Sequence, residues 1–119
     1  KISSTINIHL GKYEPINLDE FKKNRKYLVF SGIGNHQTFV SMIKKNGLEV
    51  LKDIEFSDHY TYTKEDIDKI LNEADNLNCE IITTEKDFLR LNNYNLSEIK
   101  IMKAELKIID EDKFIKSII

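Results

Sequence analysis

The sequence predicts an α/β fold: a mainly parallel sheet with helices on both faces, preceded by a short β-ribbon connector. Three observations carry this. Short apolar runs alternate with amphipathic stretches of helical period, as in repeated strand–helix units. Each helical stretch opens on a capping residue. Each apolar run ends in a polar loop, and these loops hold most of the chain's reactive residue types.

The elements follow in order, each with its own justification. Ile6, Ile8 and Leu10 alternate with Asn7 and His9, the period of a half-exposed strand. Gly11-Lys12 is expected to turn the chain, with residues 13–16 returning as a second strand that Pro15 confines to an edge. A short helix over residues 18–23 would take Asn17 as its cap. Residues 1–26 thus read as an inter-domain connector, and residues 27–119 as an α/β domain of Rossmann-like βα repeats.

Tyr27-Leu28-Val29-Phe30 is a continuous apolar run, as expected of a strand covered on both faces. Asn35 then caps a helix through Lys45, whose apolar side is Phe39, Val40 and Ile43 with Met42 flanking. Lys44 and Lys45 suit the helix C-terminus, and Gly47 supplies a left-handed exit. Residues 48–56 form a more mixed strand, placed near an edge. Thr63-Lys64-Glu65-Asp66 outlines a capping box for a helix over residues 64–77, with Ile67, Ile70, Leu71, Ala74 and Leu77 on one stripe. Residues 80–83 are a third strand, and Thr84 caps a helix through Leu91 with Asp87 as reciprocal partner. Residues 99–109 hold one bent strand or a pair. Asp110 is expected to cap a last helix carrying Phe114, Ile115 and Ile118.

Composition bounds the function. The 119 residues suffice for one domain, and 40% apolar with 32% charged is ordinary for a globular protein. A net charge of -2, with Lys and Arg spread along the chain, gives no basic field for nucleic acid. The single cysteine, Cys79, allows no internal disulfide and fits a reducing compartment. No apolar run approaches the ~20 residues of a membrane span. The chain begins at Lys1 rather than methionine, so a fragment of a longer protein is expected.

In a parallel sheet all strand-to-helix loops emerge at the carboxyl edge, where ligands of open α/β sheets bind. Three loops fall there: residues 31–35, 57–63 and 83–86. In the first, Gly32-Ile33-Gly34 lacks the third glycine of a dinucleotide fingerprint, since Gln37 stands in its place, and the chain has no Walker pattern. These glycines read either as a tight turn needing positive φ or as a close backbone approach to a ligand or partner domain. In the second loop, Asp58-His59 can relay a proton or bind a phosphate oxygen, or Asp58 can simply turn the loop. Tyr60 and Tyr62 either pack on the sheet edge, the preferred reading, or cover the mouth of a site. In the third, Thr84 and Lys86 can offer a helix N-terminus and a charge to an anion, although a plain cap explains them as well. His9, His36, His59 and Cys79 are too scattered for a metal site.

Together, Phe30-Ser31-Gly32-Ile33-Gly34-Asn35, Phe56-Ser57-Asp58-His59-Tyr60-Thr61-Tyr62 and Thr83-Thr84-Glu85-Lys86-Asp87 resemble the tetraacyldisaccharide 4'-kinases, the lipid A 4'-kinases of Gram-negative bacteria. The ordered motifs of that family are GIGNP, F-x-D-H-x-x-[YF] and TTEKD, and the resemblance covers the chain as the family's C-terminal third. It implies transfer of the ATP γ-phosphate to the 4'-hydroxyl of tetraacyldisaccharide 1-phosphate, at the cytoplasmic side of the inner membrane with peripheral membrane contact. It also implies an N-terminal domain, absent here, that carries the phosphate-binding loop and the Mg2+ ligands, so that this part alone would be inactive. By resemblance, His59 faces the ATP cleft with Asp58 as its neighbour, making these the candidate catalytic pair. Gly32, Gly34, Asn35, Thr84 and Lys86 are the candidate cofactor-binding residues, and no metal ligand is expected. Residues 1–26 resemble the ribbon that lets the two domains close. One departure is His36, where the family usually has proline; a change in helix stiffness rather than in chemistry is expected there. Two other classes compete: a stand-alone α/β ligand-binding or regulatory module without catalysis, and a structural module using the ribbon as a dimer edge.

Overall fold

The computed structural model describes residues 11–91, 96–108 and 116–118. Two sheets share the chain. The first is parallel and has the order β3-β2-β4-β5, built from β2 (Lys26–Ser31), β3 (Glu49–Glu55), β4 (Glu80–Thr83) and β5 (Ile99–Ile101). The second is antiparallel and has the order β1-β6-β7, built from β1 (Gly11–Pro15), β6 (Ala104–Ile108) and β7 (Lys116–Ile118).

Helices α1 (His36–Lys45) and α2 (Lys64–Leu77) cover opposite faces of the parallel sheet, and α3 (Glu85–Leu89) is one short turn after β4. The two-residue period of a strand sorts the core. On one face Tyr27, Val29 and Ile82 pack with Phe39, Val40 and Ile43 of α1. On the other Leu28, Phe30 and Ile81 pack with Ile67, Ile70 and Ala74 of α2. Central strand β2 is buried from Tyr27 through Ser31, whereas β3 is an edge with Leu51 exposed. The mainly parallel sheet and its helices on both faces match the expected fold class.

Local signals explain most boundaries. Thr63 Oγ1 accepts from the Asp66 amide at 3.1 Å while Asp66 Oδ2 accepts from the Thr63 amide at 2.9 Å, closing the capping box that starts α2. Gly47 exits α1 at φ 92°, the left-handed conformation expected of it.

Three expectations are corrected. Gly11 and Lys12 are not a turn: they belong to β1, whose partner is β6 in the register Gly11↔Ile108 to Pro15↔Ala104. The expected strand at Ile6, Ile8 and Leu10 lies outside the described residues. Pro15 does sit on an edge, because among the described residues β1 pairs on one side only. Asn17 makes no side-chain cap; it instead donates to Ile101 O and accepts from the Lys103 amide, both at 2.8 Å. These bonds pin the crossing where the chain leaves β5 for β6, so of the expected bent strand or pair, residues 99–108 yield a pair in two different sheets. Finally, Ile118 lies in β7 and not in a last helix; the Asp110 cap with Phe114 and Ile115 falls outside the described residues. A helical period over so few residues fits a strand equally well, and pairing with β6 decides it.

Candidate functional site

Because β2, β3 and β4 run the same way, the loops that follow them meet on one rim. The Phe56 amide donates to Ser31 O at 2.8 Å and the His59 amide to Gly32 O at 3.0 Å. The third loop joins through Asp87. This carboxylate is fully buried, and Oδ1 accepts from the Gly32 amide and from the Tyr62 hydroxyl, both at 2.9 Å. Its Oδ2 accepts from the Thr84 hydroxyl at 2.6 Å. Three donors from three loops therefore converge on one buried charge, the arrangement that makes such a charge tolerable. Arg90 supplies the counter-charge: its Nη1 lies 3.5 Å from Asp87 Oδ1 and donates to Gly32 O at 3.1 Å.

Gly32 is required here by space and not by φ, since Gly47 is the glycine held at positive φ among the described residues. A Cβ at Gly32 would lie 2.9 Å from Ser57 O and 3.3 Å from Asp87 Oδ1. The close approach expected of this glycine is made to the chain's own neighbouring loops. Gly34 is exposed, and a Cβ there would meet only Asp58 Oδ2 at 3.7 Å.

His59 sits on top of this cluster. Its side chain is 81% exposed, and its backbone is held at φ 61°, in the left-handed region. For a non-glycine residue that conformation costs about 1–2 kcal/mol, and the bond from its amide to Gly32 O helps fix it. Its Nδ1 lies 3.2 Å from Arg90 Nη2, and its Nε2 lies 3.7 Å from Asp58 Oδ2. The pair expected from sequence is thus on the rim and exposed, close in space but beyond hydrogen-bond distance.

The aromatic residues pack. Phe30, Phe56, Tyr60 and Tyr62 form a cluster with centroids 4.7–6.3 Å apart, edge-to-face except for the tilted Phe56–Tyr60 pair. Tyr62 is buried, and burial, together with the Asp87 charge that accepts its hydrogen bond, pushes its phenol far up from the ordinary value. Tyr60 donates to Asp66 Oδ2 at 2.9 Å. Burial alone would raise the Asp66 pKa, but the bonds from Thr63 and Tyr60 outweigh it and hold the carboxyl below the ordinary range.

The remaining candidates divide. Asn35 is half-buried, makes no side-chain cap and donates to the Tyr13 hydroxyl at 3.3 Å, tying the rim to the ribbon. Thr84 and Gly32 are buried in the Asp87 cluster, so they hold the rim together instead of facing solvent. Lys86 is exposed. His36 does more than alter helix stiffness: it is buried, with Nδ1 2.6 Å from Ser31 Oγ and Nε2 2.8 Å from Asp53 Oδ1. This chain ties β2, α1 and β3 together, and Ser31, fully buried, is closed to any substrate. Among the described residues no group of three or more His, Cys, Asp or Glu could hold a metal ion.

Sequence reasoning missed Arg90 and understated Asp87. The available signal was the Asp87/Arg90 spacing, which places opposite charges on neighbouring positions of one helical turn.

Comparison with known proteins bears on the family and the fold. The family Tetraacyldisaccharide-1-P 4'-kinase matches residues 3–119. A Tetraacyldisaccharide 4'-kinase of Pelagibacter ubique (strain HTCC1062) is 52% identical over 119 residues, which is 100% of this chain and 38% of that protein. One of Rickettsia akari (strain Hartford) is 38% identical over 90 residues, 76% of this chain and 27% of that protein. A crystal structure of LpxK from Aquifex aeolicus in complex with ATP aligns with a TM-score of 0.50 at 24% identity, over 86% of this chain and 32% of that one, and supports the fold. The chain therefore spans well under half the length of these relatives. Matched over nearly its whole extent, it belongs to the tetraacyldisaccharide-1-P 4'-kinase family.

Proposed function

We propose that this chain is the C-terminal part of a kinase that moves the ATP γ-phosphate to the 4'-hydroxyl of tetraacyldisaccharide 1-phosphate. Its relatives carry that activity in their names, and its rim offers one side of a site and not a whole one. The observation that carries the reading is His59: an exposed histidine kept in a costly left-handed conformation above a buried charge cluster. Such strain persists where function needs it.

The rim fits an anionic ligand in part. Lys86 and His59 are exposed, Gly34 has open surroundings, and Asn35 is half-exposed. These residues would face the nucleotide, while Gly32 and Thr84 set the geometry behind them. No phosphate cradle exists in the sequence, so a second, N-terminal domain with a phosphate-binding loop would hold ATP and Mg2+. When bound there, ATP supplies the phosphoryl group and the metal neutralises its charge. This chain's residues would then complete the other wall, orient the reacting groups through His59 and exclude water as the domains close. The ribbon of β1, β6 and β7 would carry that closure. On this reading the enzyme would work at the cytoplasmic side of the inner membrane, in peripheral contact. No helix among the described residues is long and apolar enough to cross a membrane.

The test is phosphoryl transfer from labelled ATP to tetraacyldisaccharide 1-phosphate, using the whole protein that carries this chain. Transfer is expected from the whole protein and none from residues 1–119 alone. His59→Ala should lower turnover at least ~100-fold, the range of a lost positioned group, with the unfolding midpoint unchanged. Absence of transfer by the whole protein, or full activity of His59→Ala, would overturn the reading.

A further inference from the structure

Arg90 has no role in the reading above, yet its guanidinium touches all three rim loops. Nη1 donates to Gly32 O at 3.1 Å and lies 3.5 Å from Asp87 Oδ1, while Nη2 lies 3.2 Å from His59 Nδ1. The side chain is 24% exposed, whereas that of His59 is 81% exposed, so Arg90 is the more firmly seated of the pair. It is seated by a buried carboxylate that is itself bound by Gly32, Tyr62 and Thr84.

The chemistry of the contact is one-sided. An arginine carries only donors and keeps its charge. A bond to His59 Nδ1 therefore needs the Nδ1 lone pair, and in the neutral ring the proton must sit on Nε2. Nε2 is the nitrogen on the Asp58 side, 3.7 Å from its carboxylate. Two anchors then define the imidazole: the backbone bond from His59 N to Gly32 O at 3.0 Å and the side-chain bond from Arg90. Both anchors lead back to one carbonyl, because Arg90 Nη1 also donates to Gly32 O.

We propose that Arg90 is a positioning residue: it holds the His59 ring in one orientation and one tautomer, with Nε2–H presented to the reacting groups. This deepens the kinase reading and rests on it, since the purpose of the arrangement is a working His59. The device is built from fixed parts. The buried Asp87 locks Arg90, Arg90 locks His59, and the strained backbone aims the ring outward.

Two measurements on the whole protein test this. The first is long-range proton–nitrogen NMR of 15N-histidine-labelled protein, at a pH where His59 is neutral. The wild type should show Nε2–H alone. Arg90→Met should give a mixture of tautomers, and Arg90→Lys, which restores a single donor, should recover most of the wild-type pattern. A wild-type mixture, or a spectrum unchanged in Arg90→Met, overturns the proposal whatever the enzyme does.

The second is a double-mutant cycle on turnover. Arg90→Met should lower kcat roughly tenfold or more with KM for ATP little changed, Arg90→Lys should recover part of it, and in a His59→Ala background Arg90→Met should cost nothing further. An equal loss with and without His59 would show that Arg90 acts by itself and would overturn the proposal. If Arg90→Met does not fold, Arg90→Lys carries both measurements, with partial loss expected in each and full wild-type behaviour in both counting against the proposal. Should His59→Ala alone leave turnover intact, the kinase reading of His59 fails, while the NMR result still decides whether Arg90 sets the ring.

Discussion

Helices α2 and α3 begin with the same pattern, Thr63-Lys64-Glu65-Asp66 and Thr84-Glu85-Lys86-Asp87, and the two aspartates end in different surroundings. In the first, Asp66 turns back to the Thr63 amide and completes a local, exposed cap. In the second, the Asp87 amide still donates to Thr84 Oγ1 at 3.0 Å, but the carboxylate points into the protein and collects Gly32, Tyr62 and Thr84. A capping box satisfies two amides of its own helix. The Asp87 cluster satisfies groups that lie far apart in sequence and thereby fixes how three loops sit against each other. One four-residue pattern thus serves as punctuation in α2 and as the centre of the rim in α3, and burial makes the difference.

The comparison breaks most sharply on the two aspartates. Asp87→Ala strands three buried donors and leaves Arg90 without its partner, which should cost about 3–5 kcal/mol. Asp66→Ala loses one amide bond and the Tyr60 contact at the surface, which should cost about 1 kcal/mol. Urea titrations of both variants check this, and equal losses would erase the distinction. Gly32→Ala comes next: its methyl would meet the Ser57 carbonyl at 2.9 Å, so the two loops must part. A loss of about 1–3 kcal/mol is expected from such overpacking, measurable in the same titrations. Thr63→Ala should cost about 1 kcal/mol, with α2 otherwise intact by circular dichroism.

His59→Gly should have the smallest effect on stability. Relief of the left-handed strain offsets the loss of the Arg90 contact and the added freedom of the unfolded chain, so a shift within about 1 kcal/mol is expected. Turnover of the whole protein should nevertheless collapse, which separates a residue kept for function from one kept for folding. The Asp66 cap also has a pH signature. Its folded pKa is lowered from the ordinary carboxylate value, so its contribution is full above that value and fades as pH falls through the folded pKa. The stability difference between wild type and Asp66→Asn should therefore shrink in acid, as read by thermal unfolding across that range.

Much of this was legible in the sequence because it is local. The 3.6-residue stripe of Ile67, Ile70 and Ala74 states which face of α2 is buried, the continuous apolar run of residues 27–30 states a strand covered on both faces, and parallel strands then bring His59, Gly34 and Thr84 to one rim. What escaped is non-local. Nothing near Asn17 reveals that it bridges Ile101 and Lys103. Nothing near Gly11 reveals that Ile108 is its partner. Asp87 and Thr84 read as a cap because their immediate neighbours allow one. Arg90 was overlooked because an arginine at the end of a short helix is ordinary until its acceptors are known.

Amide hydrogen exchange in Asp87→Asn reports most directly on whether one buried carboxylate unites the rim. The Gly32 and His59 amides should both lose protection, and by more than Val29 and Ile82 in the middle of the parallel sheet. Protection at Gly32 and His59 that falls only in step with those sheet amides would mean that the loops hold their places without Asp87.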